Sequence, residues 1–218
     1  LKKNGKKTVF VNFSGSAIAL TPESKTCEAI LQAWYPGQAG GQAVAEVLFG
    51  DYNPAGKLPL TFYRNLAQIP DFEDYNMTGR TYRYMKETPL FPFGHGLSYT
   101  TFKYGKLKMN DDKIAVGQNL NLVIPVTNTG SRDGDEVVQV YLKKMDDTEG
   151  PVKTLRAFKR VRIPAGKTVE VKFSLDDTQL EWWDEQSNTM RVCPGNYTVM
   201  IGGTSCEKSL LSRAFTIR

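Results

Sequence analysis

The chain has 218 residues, 40% hydrophobic and 23% charged, with a formal net charge of +5. Those proportions are ordinary for a globular protein, and no apolar run approaches the roughly 20 residues that a membrane-crossing helix needs, so a soluble fold without a membrane partner is expected. The basic residues are spread along the chain and alternate with acids, without the clustered stripe that phosphate recognition uses, which argues against a nucleic-acid partner.

A chain of this length forms one large or two modest domains, and two are expected. Three cysteines (Cys27, Cys193 and Cys206), one histidine and no CxxC motif give too few ligands for a zinc site, so neither metal nor cofactor is expected. The thiols read as free and buried. A Cys193–Cys206 disulfide stays open for an oxidising compartment, because the two flank one expected strand, although spacing does not show that their Cα atoms approach.

The amino-terminal stretch runs from Leu1 through Lys2, Lys3, Lys6 and Lys7 into TVFVNF, with no initiator Met and no leader architecture, and is read as the cut front of a longer chain. TVFVNF is rich in β-branched and aromatic residues and predicts a strand, interrupted by a turn at Ser14, Gly15 and Ser16. Pro22, Glu23 and Ser24 suit a short helical turn. AILQAW (29–34) predicts a second strand ended by Pro36 and Gly37. GGQAVAEVLFG then places Ala43, Val44, Val47 and Leu48 at helical spacing.

Strand, glycine loop and helix make an α/β unit, which needs a sheet covered on both faces. The first ~60 residues supply only two or three strands, fewer than the usual sheet of about 4 to 6, so part of that domain is expected outside this stretch. GDYNPAGKLPL (50–60) carries turn chemistry, with Asn53-Pro54 and Ala55-Gly56 reversing the chain before a short apolar strand. Residues 64–102 hold Tyr75, Tyr82, Tyr84, Phe91, Phe93, Tyr99 and Phe102 among several prolines, without sustained periodicity. That is too aromatic for a disordered linker and reads as an ordered connector.

From about residue 103 the pattern becomes repeated alternation, in NLNLVIPVTN, EVVQVYL, TVEVKFSL and GNYTVMIGG, each burying one face. Turn clusters NTGSRDGD, PAGK and CPGN separate the runs, and roughly seven strands at this spacing predict a two-sheet β-sandwich. Pro194, Gly195, Asn196 and Tyr197 suit a strand-entry turn whose tyrosine hydroxyl bonds back to the backbone. Sequons fall at Asn12, Asn76 and Asn196 and matter only in a glycosylating pathway.

Three motifs carry a family resemblance. AWYPGQAGGQAVAEVLFGDYNPAGKLPLTF (33–62), PLFPFGHGLSYTTF (89–102) and VTNTGSRDGDEVVQVYL (126–142) resemble, in order, the second-domain signature, the bridge and the first paired strands of the third domain in family three glycoside hydrolases. The resemblance implies an α/β sandwich domain continuing to residue 63, a bridge at 64–102 and a fibronectin type III-like, immunoglobulin-like β-sandwich at 103–218. It further implies an upstream barrel and the rest of the α/β domain as partners. GRTYRYMKETPLFPFG (79–94) is more similar to the β-xylosidase and arabinofuranosidase members than to the β-glucosidases. The implied parent hydrolyses terminal β-linked xylosides, or else glucosides, with retention, and is expected to be periplasmic or secreted.

A retaining glycosidase uses two carboxyl groups about 5 to 5.5 Å apart. The family's nucleophilic aspartate lies in the barrel and its acid/base precedes everything matched here, so no catalytic residue is carried onto this chain, which is expected to be inactive alone. Glu46 and Asp51 read as a solvated helix face and a turn carboxylate. His95, between two glycines, lacks an accompanying GxSxG nucleophile and reads as structural.

The candidates for touching a glycoside are Trp34, Tyr35 and Gln38, in the loop where ligands approach the carboxyl ends of parallel strands. Tyr35 is placed to stack and Gln38 to bond a hydroxyl; the alternative is that the glycines simply permit a tight turn with the aromatics buried. Arg80 and Tyr82 are read either at the pocket rim or as a surface anchor between domains. A different class of function, a noncatalytic carbohydrate- or protein-binding sandwich, rests on Trp182 and Trp183 flanked by Glu181, Asp184 and Glu185, residues that at a sandwich edge equally serve packing and solubility. An incomplete sheet would leave an exposed edge, which predicts aggregation or dimerisation.

Overall fold

Two β-branched and apolar tetrads open the described chain, and they pair in parallel. The computed structural model describes residues 2–218. After a 3-10 turn at Lys2–Asn4 come β1 (Val9–Asn12), α1 (Thr21–Thr26), β2 (Ala29–Gln32) and α2 (Gly40–Phe49), with β1 and β2 in register from Val9↔Ala29 to Asn12↔Gln32. Pro22 sits in the first turn of α1, where a missing N–H costs nothing. Gly50 ends α2 at φ 85°, a left-handed cap that glycine adopts without strain.

This unit scarcely buries itself. Its fully buried apolar residues are Leu20, Ala55 and Phe62, whereas Val9, Phe13, Leu48 and Phe49 remain exposed, Phe49 by 85%. Asn12 is buried and donates to Ser14 and Gln32, so that sequon is engaged inside the fold.

Residues 50–101 hold a 3-10 turn (Leu66–Gln68) and α3 (Thr81–Tyr84) but no named strand. The apolar strand expected after residue 56 is reduced to one antiparallel bridge, Phe62↔Phe91. Pro59 explains the shortfall, since it has no N–H to give a ladder. The strand expected over 29–34 likewise stops at Gln32, because Trp34 turns to φ 55°.

The remainder is a two-sheet sandwich. Its strands are β3 (Phe102–Tyr104), β4 (Lys108–Met109), β5 (Lys113–Ile114), β6 (Leu120–Asn128), β7 (Gly134–Lys144), β8 (Thr154–Ile163), β9 (Thr168–Leu175), β10 (Trp182–Asp184), β11 (Thr189–Arg191), β12 (Gly195–Gly202) and β13 (Leu211–Ile217), with α4 (Asp177–Leu180) between β9 and β10. A five-stranded sheet ordered β5-β13-β12-β7-β8 faces one in which β6 pairs with β3, β4 and β9; β10 and β11 form a separate hairpin. The short β3, β4, β5, β10 and β11 exceed the roughly seven strands that alternation suggested, because two or three residues are too few to show a period of two.

The alternating residues meet between the sheets: Leu120, Leu122, Ile124 and Val126 of β6 pack with Val138, Val140 and Leu142 of β7, and with Tyr197, Val199 and Ile201 of β12. Strand β7 departs from the one-face expectation. Its opposite face carries Gln139 and Tyr141, also buried, beneath residues of the connector. Trp182 is a core residue as well, 3% exposed, with Nε1 donating to Asp147 at 2.6 Å, so Trp182 and Trp183 cannot form a tandem sugar platform. The three cysteines are free thiols.

The expected strand-entry tyrosine is present: Tyr197, fully buried, donates its hydroxyl to the Cys193 carbonyl at 2.7 Å. Tyr197→Phe leaves that carbonyl unpaired in the core and should cost about 1 to 3 kcal/mol. Urea denaturation measures it directly, and an unchanged midpoint would show that the corner carries no weight.

Candidate functional site

The loop following β2 leaves the carboxyl end of the parallel pair, and two backbone turns shape it, Trp34 at φ 55° and Gly37 at φ 68°. Trp34 is half-buried, its ring edge-on to Phe62 with centroids 6.3 Å apart, and Phe62 stands edge-on to Phe91 at the same spacing. Such pairs add about 0.5 to 1.5 kcal/mol beyond their buried area, which holds this side of the loop. Tyr35 is 79% exposed, and its ring lies over Gly15, where a Cβ would come within 2.6 Å of the ring. Gln38 is exposed too. The loop thus presents one anchored ring, one exposed ring and one free-standing amide.

Arg80 and Tyr82 occupy a different place, reached from Trp34 through residues 61–63. Thr81 N donates to the Tyr63 hydroxyl at 2.8 Å and Tyr82 N to Thr61 Oγ1 at 3.0 Å. The Arg80 guanidinium donates to the carbonyls of Asp71, Asp74 and Asn76, which ties the 71–76 loop together. Tyr82 stacks on Phe93 at 4.3 Å, meets Tyr141 edge-on at 5.9 Å, and accepts a hydrogen bond from Leu155 N. Its ring therefore lies in the seam between connector and sandwich.

That seam contains the residues that sequence reasoning missed. Glu136, 4% exposed, shares the inward parity of Val138 and Val140, and Lys57 reaches it across the seam at 3.4 Å. Tyr104, from the opposite sheet, donates to the same carboxylate at 3.1 Å. Burial pushes the Glu136 carboxyl above the usual glutamate range, while Lys57 and the Tyr104 hydroxyl pull it partly back. Burial and the neighbouring carboxylate push Tyr104 far upward, so it stays protonated as a donor. An acid at an inward position of an otherwise apolar alternation was the one signal for this contact.

Backbone contacts complete the seam. Gln139 donates to the carbonyls of Gly94 and Gly203, and Gly94, at φ 78°, passes so close that a Cβ would sit 2.1 Å from the Gln139 side chain. Asn53 donates to the Asp133 carbonyl and accepts from Ser98 and Tyr99. Arg132 donates to the Gly50 carbonyl at the carboxyl end of α2, where a cation complements the helix dipole.

Three of the other titratable candidates, Glu46, Asp184 and His95, have structural partners. Glu46 accepts from Gln42, one turn earlier on α2. Asp184 accepts from the Ser187 hydroxyl and from Arg191, which against a smaller opposing effect of burial hold its carboxyl below the usual range. His95 stacks on Phe91 at 5.2 Å, and burial, aided by Lys57, lowers its pKa and disfavours the imidazolium. Among the described residues no three potential metal ligands cluster.

A parallel strand–loop–helix unit joined through an aromatic seam to a two-sheet sandwich is the order of domains that the three sequence motifs resemble. Residues 1–99 match the glycosyl hydrolase family 3 C-terminal domain and residues 136–205 the fibronectin type III-like domain. The chain belongs to glycosyl hydrolase family 3, as its carboxyl-terminal part. It is 53% identical over its whole length to a xylan 1,4-β-xylosidase of Xylanibacter ruminicola, covering 25% of that protein, and 39% identical over 95% of its length to a periplasmic β-glucosidase of Salmonella typhimurium, covering 29%. Among solved structures, a β-glucosidase from Erythrobacter marinus superposes with a TM-score of 0.85 at 38% identity, over 98% of this chain and 28% of that one. The chain spans about a quarter to a third of the proteins it matches.

The seam makes a pH-dependent prediction. A carboxyl raised by folding contributes stability in full below its unfolded value and loses it as pH climbs through the folded one. Lys57→Met removes the strongest pull on Glu136 toward the charged form, and breaking such a buried pair costs about 3 to 5 kcal/mol. We expect that deficit where Glu136 is ionised and a smaller one as falling pH carries it through its raised folded-state value and it takes up a proton. Urea midpoints across a pH series test it; a deficit independent of pH would mean that Glu136 is not the group left stranded.

Proposed function

We propose that this chain is the carboxyl-terminal portion of a retaining β-glycosidase acting on terminal β-xylosides, whose catalytic carboxylates lie upstream and which is inactive without them. The observation that carries the reading is the half-covered α/β unit: the two-stranded parallel pair and α2 are only partly buried, with Val9, Leu48 and Phe49 exposed, although parallel sheets are stable with both faces buried. Upstream barrel and sheet elements of the same polypeptide supply that cover. The preference for xylose follows from the 53% identity to a xylan 1,4-β-xylosidase, ahead of the 39% shared with a β-glucosidase. A periplasmic or secreted parent fits the periplasmic relative.

In this reading residues 1–63 complete the α/β domain, residues 64–102 brace it, and residues 103–218 form the fibronectin-like brace behind it. Trp34, Tyr35 and Gln38 finish one wall of the substrate pocket, with Tyr35 free to stack on a sugar ring and Gln38 to bond a hydroxyl. Arg80 and Tyr82 act on the pocket at one remove, by fixing the connector against the sandwich. Separated from its cover, the β1–β2 edge favours dimerisation or aggregation.

The test is hydrolysis of aryl β-xyloside and aryl β-glucoside by this chain and by the chain extended upstream to its full reading frame. Turnover should appear only in the extended protein, faster on the xyloside. Turnover by the short chain would place the carboxylates within it, among Glu46, Asp51, Glu181 and Asp184. In the extended enzyme, Tyr35→Ala should lower kcat/KM by about tenfold, the worth of one ring stack; an unchanged value would remove Tyr35 from the pocket.

A further inference from the structure

Where the end of α2 meets the sandwich, the seam opens into a cleft of about 340 Å³, within the range of small-ligand pockets of about 300 to 1,000 Å³. Three elements line it. Asp51 and Tyr52 come from the turn after α2, Arg132 and Asp133 from the turn before β7 with Asp135 on β7 itself, and Arg160 and Arg162 project from one face of β8.

The charges of this lining cancel, three aspartates against three arginines, and most are already committed. Arg160 Nε contacts Asp135 at 2.7 Å while its Nη2 donates to the Tyr52 hydroxyl at 3.0 Å. Arg162 stands 3.4 Å from Asp133, whose other oxygen accepts from Ala165 N. The Ala165 amide and the Arg162 guanidinium hold the Asp133 carboxyl below the usual range, so it stays an acceptor. Arg132 lies over the Tyr99 ring at 5.7 Å.

The Arg160–Asp135 and Arg162–Asp133 pairs neutralise one another and the lining as a whole carries no net charge, which favours a neutral polyol over an ion. A guanidinium has five N–H donors and a carboxylate accepts at about four lone-pair sites, so each pair keeps unused capacity in a fixed geometry. Adjacent sugar hydroxyls each donate and accept, which matches a rim where donors and acceptors alternate. Tyr52, half exposed and tethered by its hydroxyl to Arg160, offers its ring as an apolar surface beside that rim.

We propose that this cleft is a binding site for a neutral sugar, held through vicinal hydroxyls between Arg160, Arg162 and the three aspartates, with the Tyr52 ring against its apolar face. The site lies wholly within this chain, and its test reads binding without turnover, so it stands or falls separately from the glycosidase reading.

The experiment titrates the isotope-labelled 218-residue chain with xylobiose and with cellobiose, and in parallel with glucuronate and inorganic sulfate, following backbone amide shifts. Saturable shifts at residues 51–53, 132–135 and 160–162 with a neutral disaccharide are expected. Arg162→Ala, at a side chain 73% exposed, should weaken binding about tenfold or more while leaving the circular dichroism unchanged. Asp51→Ala, also exposed, gives an independent second variant expected to weaken binding in the same direction. Saturation by sulfate or glucuronate but not by the disaccharides would make this an anion site. Shifts elsewhere, or none with any of the four compounds, would equally overturn the proposal.

Discussion

The arrangement of the two halves depends on one carboxylate taken out of water. Glu136 sits at the mouth of the sandwich core, on the inner face of β7, where an isolated charge would be prohibitively costly. Tyr104 satisfies it from the opposite sheet and Lys57 from the amino-terminal half, and Lys57 also donates to the Gly96 carbonyl. The pair need not add net stability over an apolar substitute. What it adds is position: segment 53–57 has one place against the sandwich at which no charge is stranded, and Asn53, Gly94 and Gln139 are engaged in that same place.

Two halves with unlike cores follow from this. The sandwich buries its own alternating residues, so its geometry is self-supporting, whereas the amino-terminal half is held by what it leans upon. Leu66, Phe72 and Tyr75 are each at least 80% exposed, as is Phe49. Fully burying a side chain of this size is worth about 1.5 to 3 kcal/mol. Surface of that extent in one half of a chain is a strong drive toward covering polypeptide, and the loop carrying Tyr35 and Gln38 opens on the same half.

Much of this was legible in the residues because local periodicity and tertiary role agree there. Ala43, Val44 and Val47 at helical spacing, closed by Gly50, mark α2 to within a residue, and the alternations in β6, β9 and β12 mark the sandwich. Legibility failed where a residue answers to a distant partner. Gln139 and Tyr141 read as the solvated face of β7, yet Gly94 and Tyr82 cover them from far along the chain. The seam was invisible for the same reason: Lys57 looks like any turn lysine until Glu136, 79 residues later, is seen to be buried. The candidate loop could be located from the strand–glycine–helix order, but which of its two rings is anchored depends on Phe62, well beyond α2 in the chain.

The cleft beside Tyr52 brings these themes together, because its lining also docks the halves. Arg160 joins Tyr52 to β8, Arg132 joins Gly50 to the turn before β7, and Asn53 bridges to Asp133. A ligand held between these residues binds only the docked arrangement, so it stabilises that arrangement by mass action, by about 2.7 kcal/mol at a hundredfold excess over its dissociation constant. The linkage is reciprocal: any contact that tightens the seam, the Lys57–Glu136 pair included, preorganises the cleft and lowers the cost of filling it. In a protein whose amino-terminal half lacks a core of its own, binding at the seam is therefore inseparable from folding of the half that presents the candidate substrate loop.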